Sequence, residues 1–201
     1  MTQSTYLASV LSMLGEPTAS HEDPAAWEAL EDQLGTRLPE DYKTIIDTYG
    51  PVRINGHLTL HHPATQRWNL GRWIRETAEA WSEVPWDEVD LEADPRPSLG
   101  IPDMRFGAAD GLIPAVSSDR DEAVFLAQGA EQQGWRVFVS RDDEFFEYPM
   151  NFAEWLYRYL IGEDMAGPNS SVFYPGPVRF ESLPMNAHGR TSEWHGPDRG
   201  M

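Results

Sequence analysis

The 201 residues carry 15 basic and 33 acidic side chains, a formal charge of −18, with 40% apolar and 11% aromatic residues. A chain of this size suits one domain with or without appendages and buries about 70% of its unfolded surface without disulfide staples. Cysteine is absent, which excludes thiol catalysis, cysteine zinc sites and iron–sulfur clusters, and so acidic a surface argues against nucleic acid and anionic membranes and suits a basic partner.

Taken in chain order, Tyr6, Leu7, Val10, Leu11 and Leu14 repeat at helical spacing and Gly15 and Pro17 end the pattern, predicting a short helix within residues 1–20. Residues 23–35 predict a second helix: Asp23 caps it, Pro24 suits its first position, and Gly35 sits at its end. Trp27, Leu30 and Leu34 share its apolar face. Pro39 opens a third helix, Glu40 and Asp41 favour its positive end, Gly50 stops it, and Tyr42, Ile45, Ile46 and Tyr49 form its stripe. The link between these two helices is so short that they should pack as a pair.

The period then changes to two. Val52, Ile54, Leu58 and Leu60 alternate with polar residues as in a half-buried strand, with Asn55-Gly56 placed for a tight turn or bulge. Leu70, Trp73, Ile74, Thr77 and Trp81 form another helical stripe. Residues 85–102 hold four prolines and a glycine and predict an irregular stretch. Strands are predicted at Leu112–Val116, Ala123–Ala127, Trp135–Ser140 and Glu144–Tyr148. A closing helix runs from Phe152 to Ile161, with Asn151 as cap and Glu154 completing a capping box. Residues 163–201 hold five glycines and five prolines and read as an irregular tail, with Val172-Phe173-Tyr174 and Phe180 as its candidate anchors. The fold class is α+β, a mostly antiparallel sheet of about five to six strands flanked by helices. The expected organisation is an N-terminal helical extension (1–20), a central domain (21–162), and a C-terminal extension (163–201) partly packed on it.

Motifs of catalysis are missing: no HExxH, no G-x-S-x-G, no Walker loop and no dinucleotide fingerprint. His57, His61 and His62 are close in sequence, but on a strand His57 and His61 stand about 13 Å apart and His61 and His62 point to opposite faces, so they do not share one ion. His188 and His195 fall in the tail. Asp119, Asp121 and Glu122 lack the spacing and glycine of a calcium loop. Asp142, Asp143 and Glu144 read as a solvated turn. Catalytic residues, metal ligands and cofactors are therefore not assigned. With no apolar run near 18 residues and no basic leader at the N-terminus, the expected location is the cytoplasm.

One feature rises above this background. Between Glu76 and Asp94 lie eight acidic residues, Glu76, Glu79, Glu83, Asp87, Glu88, Asp90, Glu92 and Asp94, with no basic residue among them. Packing so many like charges costs self-repulsion that salt relieves only in part, at a screening length of about 8 Å. Trp81 and Trp86 are interleaved. The acids and Trp86 are accordingly the candidate partner-binding residues, for complementary charge steers association and aromatic residues anchor interfaces. The bland alternative is a solvated acidic loop with Trp81, alone or together with Trp86, anchored in the core.

The run W-E-A-L-E-D-Q-L-G-T-R-L-P-E-D-Y-K from Trp27 to Lys43, followed by Ile45, Ile46, Tyr49-Gly50, Ile54, Leu58, Leu60 and Pro63, has its pieces in a telling order. It resembles the SUKH superfamily, named partly for the yeast Smi/Knr cell-wall regulators. The match loosens through Phe106-Gly107, Gly111, the strands around Trp135 and the helix from Asn151 to Gly162, and covers about residues 20–162. The resemblance implies an α+β scaffold without catalytic activity. Bacterial members look like immunity proteins that silence polymorphic or contact-dependent toxins, often nucleases, by direct binding. The implied partner is thus a basic toxin domain, and the alternative is a regulatory scaffold akin to the cell-wall regulators. The matched residues belong to the scaffold, and none is a site residue to carry over. Lys43 is the only lysine among the 15 basic residues, the rest being arginine, which fits a GC-rich bacterial genome.

Overall fold

The computed structural model describes residues 3–17, 21–130, 134–186 and 188–200. Helices α1 (Gln3–Leu14), α2 (Pro24–Leu34) and α3 (Glu40–Tyr49) come first, then strands β1 (Val52–Ile54) and β2 (Leu58–Leu60), helix α4 (Leu70–Ser82) and the one-turn α5 (Arg96–Leu99). Strands β3 (Ile113–Ser118), β4 (Glu122–Gln128), β5 (Trp135–Arg141) and β6 (Glu144–Tyr148) follow, then α6 (Phe152–Leu160), β7 (Arg179–Ser182) and β8 (Glu193–His195). The strands form one antiparallel sheet in the order β6-β5-β4-β3-β2-β1-β7-β8.

The helix boundaries follow the local chemistry. Asp23 Oδ1 accepts the Ala26 N–H at 3.0 Å, Pro24 opens α2, and Gly35 closes it in the left-handed region at φ 70°. Asn69 and Asn151 cap α4 and α6 in the same way, each accepting at 2.9 Å from the N–H three residues on. Gly50 ends α3 differently. Its backbone is extended, and a Cβ there would lie 2.9 Å from the Ile46 carbonyl oxygen, so close approach rather than a left-handed turn favours glycine. Asn55 and Gly56 both take positive φ, 50° and 80°, and turn β1 into β2.

The sheet has eight strands where about five or six were expected. The two extra strands come from the tail, expected to be irregular. Phe180 pairs with Ile54 across β1 and lies between two aromatic rings, Tyr49 at 5.9 Å and Trp194 at 4.9 Å. Three buried contacts of this kind outweigh the turn-forming composition around them. Of the other expected anchors, Tyr174 stacks on His57 (5.3 Å), and Phe173, though 52% exposed, lies against Gly162. Arg199 ties the end of the tail back by donating to the carbonyls of Leu160, Gly176 and Tyr174. The N-terminal helix is equally integrated: Val10, Met13 and Leu14 are buried in the main apolar cluster.

Alternation along the central strands separates two cores. Val124, Leu126, Val137 and Val139 face the first, with Trp27, Leu30, Tyr42, Ile45, Ile46, Phe152, Trp155 and Leu156 from the helices. Phe125, Ala127 and Phe138 point the other way. That opposite face, to which β6 adds Phe145, meets Trp86, Leu99 and Phe106, with Trp81 packed against them. Helix α4 serves both, contributing Leu70 and Ile74 to the first cluster and Ala78 and Trp81 to the second. In β3 the pairing register slips between Pro114 and Val116, and the Tyr42 hydroxyl donates to the Ala115 carbonyl there at 2.8 Å. A mid-strand irregularity is thus bonded to α3.

Candidate functional site

The motif residues build one joint. Glu31, buried in the middle of the Leu30-Glu31 pair, accepts from the Leu38 N–H at 2.9 Å and from Arg37 at 2.9 Å, and lies 3.1 Å from Lys43 Nζ. Burial raises its pKa, but these three partners more than offset that and hold it below the usual carboxylate value. One carboxylate therefore fixes the α2–α3 connection. Asp41 caps α6 by accepting the Ala153 N–H at 2.8 Å, and its pKa is raised, chiefly by burial.

The three neighbouring histidines are buried and go to three separate partners. His61 stacks on Trp73 of α4 (4.7 Å, 7°) and reaches Ser117 Oγ at 3.2 Å. Burial pushes its pKa down to about 4; the Arg72 cation adds to that and the Trp68 backbone pulls the other way. His62 accepts the Ala64 N–H on Nδ1 at 3.1 Å, so the neutral ring carries its proton on Nε2, 3.3 Å from Asp47 Oδ1. The same Asp47 oxygen accepts the Trp27 indole N–H at 2.7 Å. His57 Nε2 lies 3.0 Å from the Tyr159 hydroxyl, which donates to Glu122 at 3.0 Å and accepts from Arg120 at 3.3 Å. The Tyr174 hydroxyl sits 3.2 Å from His57 Nδ1 and brings the tail into this network. Sequence reasoning missed this cluster. Its one signal was Glu122, a charged residue on the inward register of Val124 and Leu126. Among the described residues no group of three or more His, Asp or Glu side chains is arranged to hold a metal ion.

The acidic run emerges on the other side of the sheet. Glu76 and Glu79 lie on α4, Glu83 caps its C-terminus, and Trp86, Asp87, Glu88, Asp90, Glu92 and Asp94 follow in the irregular segment before α5. All the acids except the half-buried Asp94 are exposed. Trp86 is only 8% exposed: it stacks on Trp81 (5.5 Å, 12°), meets Phe145 and Phe106 at 5.5 and 5.9 Å, and donates its indole N–H to the Trp81 carbonyl at 2.8 Å. Trp86 is thus a core residue that folds the segment down and, at its edge, lines a surface groove.

Arg96 folds back onto the run, pairing with Asp94 at 2.9 Å and Asp87 at 2.7 Å, and Arg72 lies 3.9 Å from Glu76. Among the described residues no ion pair reaches Glu79, Glu83, Glu88, Asp90 or Glu92. Two further bonds dock the segment on β6: the Glu92 N–H donates to Glu144 at 3.1 Å and Ser98 to Glu147 at 2.5 Å. Between α4 and the segment opens a groove of about 380 Å³ lined by Ala80, Trp81, Val84, Trp86, Val89 and Asp143. Val84, at its mouth, is one of the few large apolar side chains left exposed. The arrangement can bind: Asp143 lines the apolar depression, and Glu79, Glu83, Glu88 and Asp90 are chain neighbours of its lining residues Ala80, Val84 and Val89.

Comparisons with protein-family models, with curated proteins and with solved structures return no match to this chain. Among the described residues no helix is long and apolar enough to cross a membrane.

Proposed function

We propose that this protein is a cytoplasmic, SUKH-type immunity protein that acts without catalysis, binding a basic toxin domain through the acidic face from Glu76 to Asp94. The observation that carries this reading is the set of five exposed carboxylates that no cation pairs with among the described residues, on a run whose other side is locked by aromatic packing. A solvated loop gains nothing from such rigidity. A docking face does, because little conformational freedom remains to be lost on binding. The SUKH reading is supported by the way Glu31 of the Leu-Glu pair joins α2 to α3, accepting from Arg37 and the Leu38 N–H and pairing with Lys43. A nuclease toxin must attract a polyanion and so presents a positive cleft, to which a chain of net charge −18 is steered.

The test is association kinetics with the toxin domain encoded beside this gene. Joint reversal of Glu79, Glu83, Glu88 and Asp90 to lysine should slow association about tenfold or more at low salt and much less at high salt. Asp87 and Asp94 are poor choices because Arg96 already engages them. An unchanged on-rate with unchanged salt dependence rules the acidic face out as the docking surface.

A further inference from the structure

We infer that the groove beside the acidic run is an arginine pocket: a basic protein partner lays one arginine side chain between Val84 and Val89 against the Trp81–Trp86 pair, its guanidinium directed to Asp143. This rests on the reading of the acidic face as a docking surface and names the side chain it takes. Five of the six lining residues are apolar or aromatic, and Asp143 is the only one with a formal charge. That asymmetry selects against both simple occupants. A purely apolar side chain leaves the Asp143 carboxylate and the neighbouring unpaired acids without a counter-charge as water is displaced. A lysine brings the charge, but its compact ammonium is strongly hydrated and gains little from apolar walls. Arginine has an aliphatic stem for Val84 and Val89, a weakly hydrated plane that stacks on indole, and a fork that matches a carboxylate. Among the described residues no cation of this chain pairs with Asp143, while its neighbour Asp142 is taken by Arg141 at 3.3 Å. Asp143 is exposed and its backbone is left-handed, φ 63°, in the tight β5–β6 turn, which fixes where the carboxylate is presented. The volume, about 380 Å³, holds one such side chain with room for water.

The experiment uses the full chain and two synthetic peptides of equal length and charge, one alternating glycine with arginine and the other glycine with lysine, with binding read by calorimetry at low and moderate salt. The arginine peptide should bind about tenfold more tightly. It alone should shift the Trp86 indole N–H resonance, a local reporter because that proton is bonded to the Trp81 carbonyl. Val84→Gln, which makes the mouth polar at an exposed position, and Asp143→Asn, which keeps a residue tolerant of the left-handed turn, should each reduce the preference to about twofold or less. Equal binding of the two peptides overturns the pocket but leaves the acidic face standing as a charge-only surface. An arginine preference that survives both substitutions places the arginine elsewhere and overturns it too. If neither peptide binds even at low salt, the pocket and the acidic docking face fall together.

Discussion

The two faces of the sheet are covered by different means. One face is covered by four regular helices, α1, α2, α3 and α6, whose stripes at helical spacing join aliphatic and aromatic side chains in one core with Val124, Leu126, Val137 and Val139. The other is covered by the end of α4 and a largely irregular segment with one helical turn in it. Such a segment has no regular ridge to offer, so the cover uses large rings: Trp81, Trp86 and Phe106 form with Phe125 of β4 and Phe145 of β6 a connected set with centroids between 5.0 and 6.2 Å apart. Each aromatic side chain buries roughly 150–250 Å², enough for a few residues to hold a segment that its backbone hydrogen bonds do not. The difference shows how the chain separates duties. The helical face carries the fold, and the aromatic face frees a run of backbone to present charge outward.

That separation is broken most directly by emptying each core in turn. Trp155 is fully buried, stacks on Phe152 and donates to the Met165 carbonyl at 2.9 Å. Trp155→Ala should cost about 4 kcal/mol and lower amide protection throughout the sheet. Trp86 is nearly as buried, but it belongs to the smaller of the two apolar clusters. Trp86→Ala should cost about 2–3 kcal/mol, with the loss of protection confined to residues 81–106 and the strands beneath them. Denaturant melts of both variants, with hydrogen exchange on each, decide the matter. Equal costs and equal spread would make the two faces one cooperative unit.

Much of the helical face was legible in the sequence, and the reason is locality. Asp23, Pro24, Gly35, Asn151 and the stripes of α2, α3 and α6 act within one helix, so spacing alone reveals them. The antiparallel strands β3 to β6 were legible for the same reason, as neighbours joined by short turns. The tail strands β7 and β8 were not. They have four and three residues; β7 is ordered by pairing with β1, more than 120 positions earlier, and β8 by pairing with β7 in turn. The candidate site divides along the same line. Its acids could be counted, but Arg96 lies two positions beyond the run and its return onto Asp94 and Asp87 depends on the bend between them. That Trp86 belongs to the core follows from strands β4 and β6, not from its own surroundings in the chain.

On the helical face the next largest effect should come from Glu31. Glu31→Ala leaves the buried Leu38 N–H without its side-chain acceptor and takes from Lys43 one of its two carboxylate partners, Glu40 remaining at 2.7 Å. The expected cost is about 2 kcal/mol, because a buried N–H loses its charged acceptor while Lys43 keeps Glu40. Chemical denaturation at neutral pH measures it. A cost under about 1 kcal/mol would show that the α2–α3 joint is held by its apolar contacts alone.

His61 adds a pH dependence of known sign. Its folded pKa, about 4, is below its unfolded value, so below about pH 6.5 the unfolded chain binds the extra proton. Stability from this group is full above about pH 6.5 and is lost as the pH falls towards 4. At pH 5 the loss should approach about 2 kcal/mol relative to pH 7.5. Changes in overall charge also act over this range, so the comparison is with His61→Phe, which keeps a ring against Trp73 and does not titrate. The stability difference between the two proteins should shift in favour of the phenylalanine variant by that amount on acidification. A difference that stays constant with pH would mean that His61 is protonated equally easily in both states.

The smallest effect should come from Arg96, and it bears most directly on the acidic face. Its pairs with Asp87 and Asp94 are at the surface, where an ion pair contributes about 1 kcal/mol or less. Arg96→Met keeps the stem and removes the charge, so global stability should fall by no more than that. Local consequences should be larger in proportion. Two more carboxylates join the unpaired set, and residues 87–96 lose the clasp that draws them inward. Amide exchange there should quicken several-fold while β4 and β5 stay protected. Binding of a basic partner should then move in opposite directions for its two rates. Association should rise with the added negative charge, and dissociation should rise too because a looser face pays more ordering entropy on binding. A faster association without faster dissociation would show that charge alone serves this surface, and that the aromatic packing beneath it matters to the fold but not to docking.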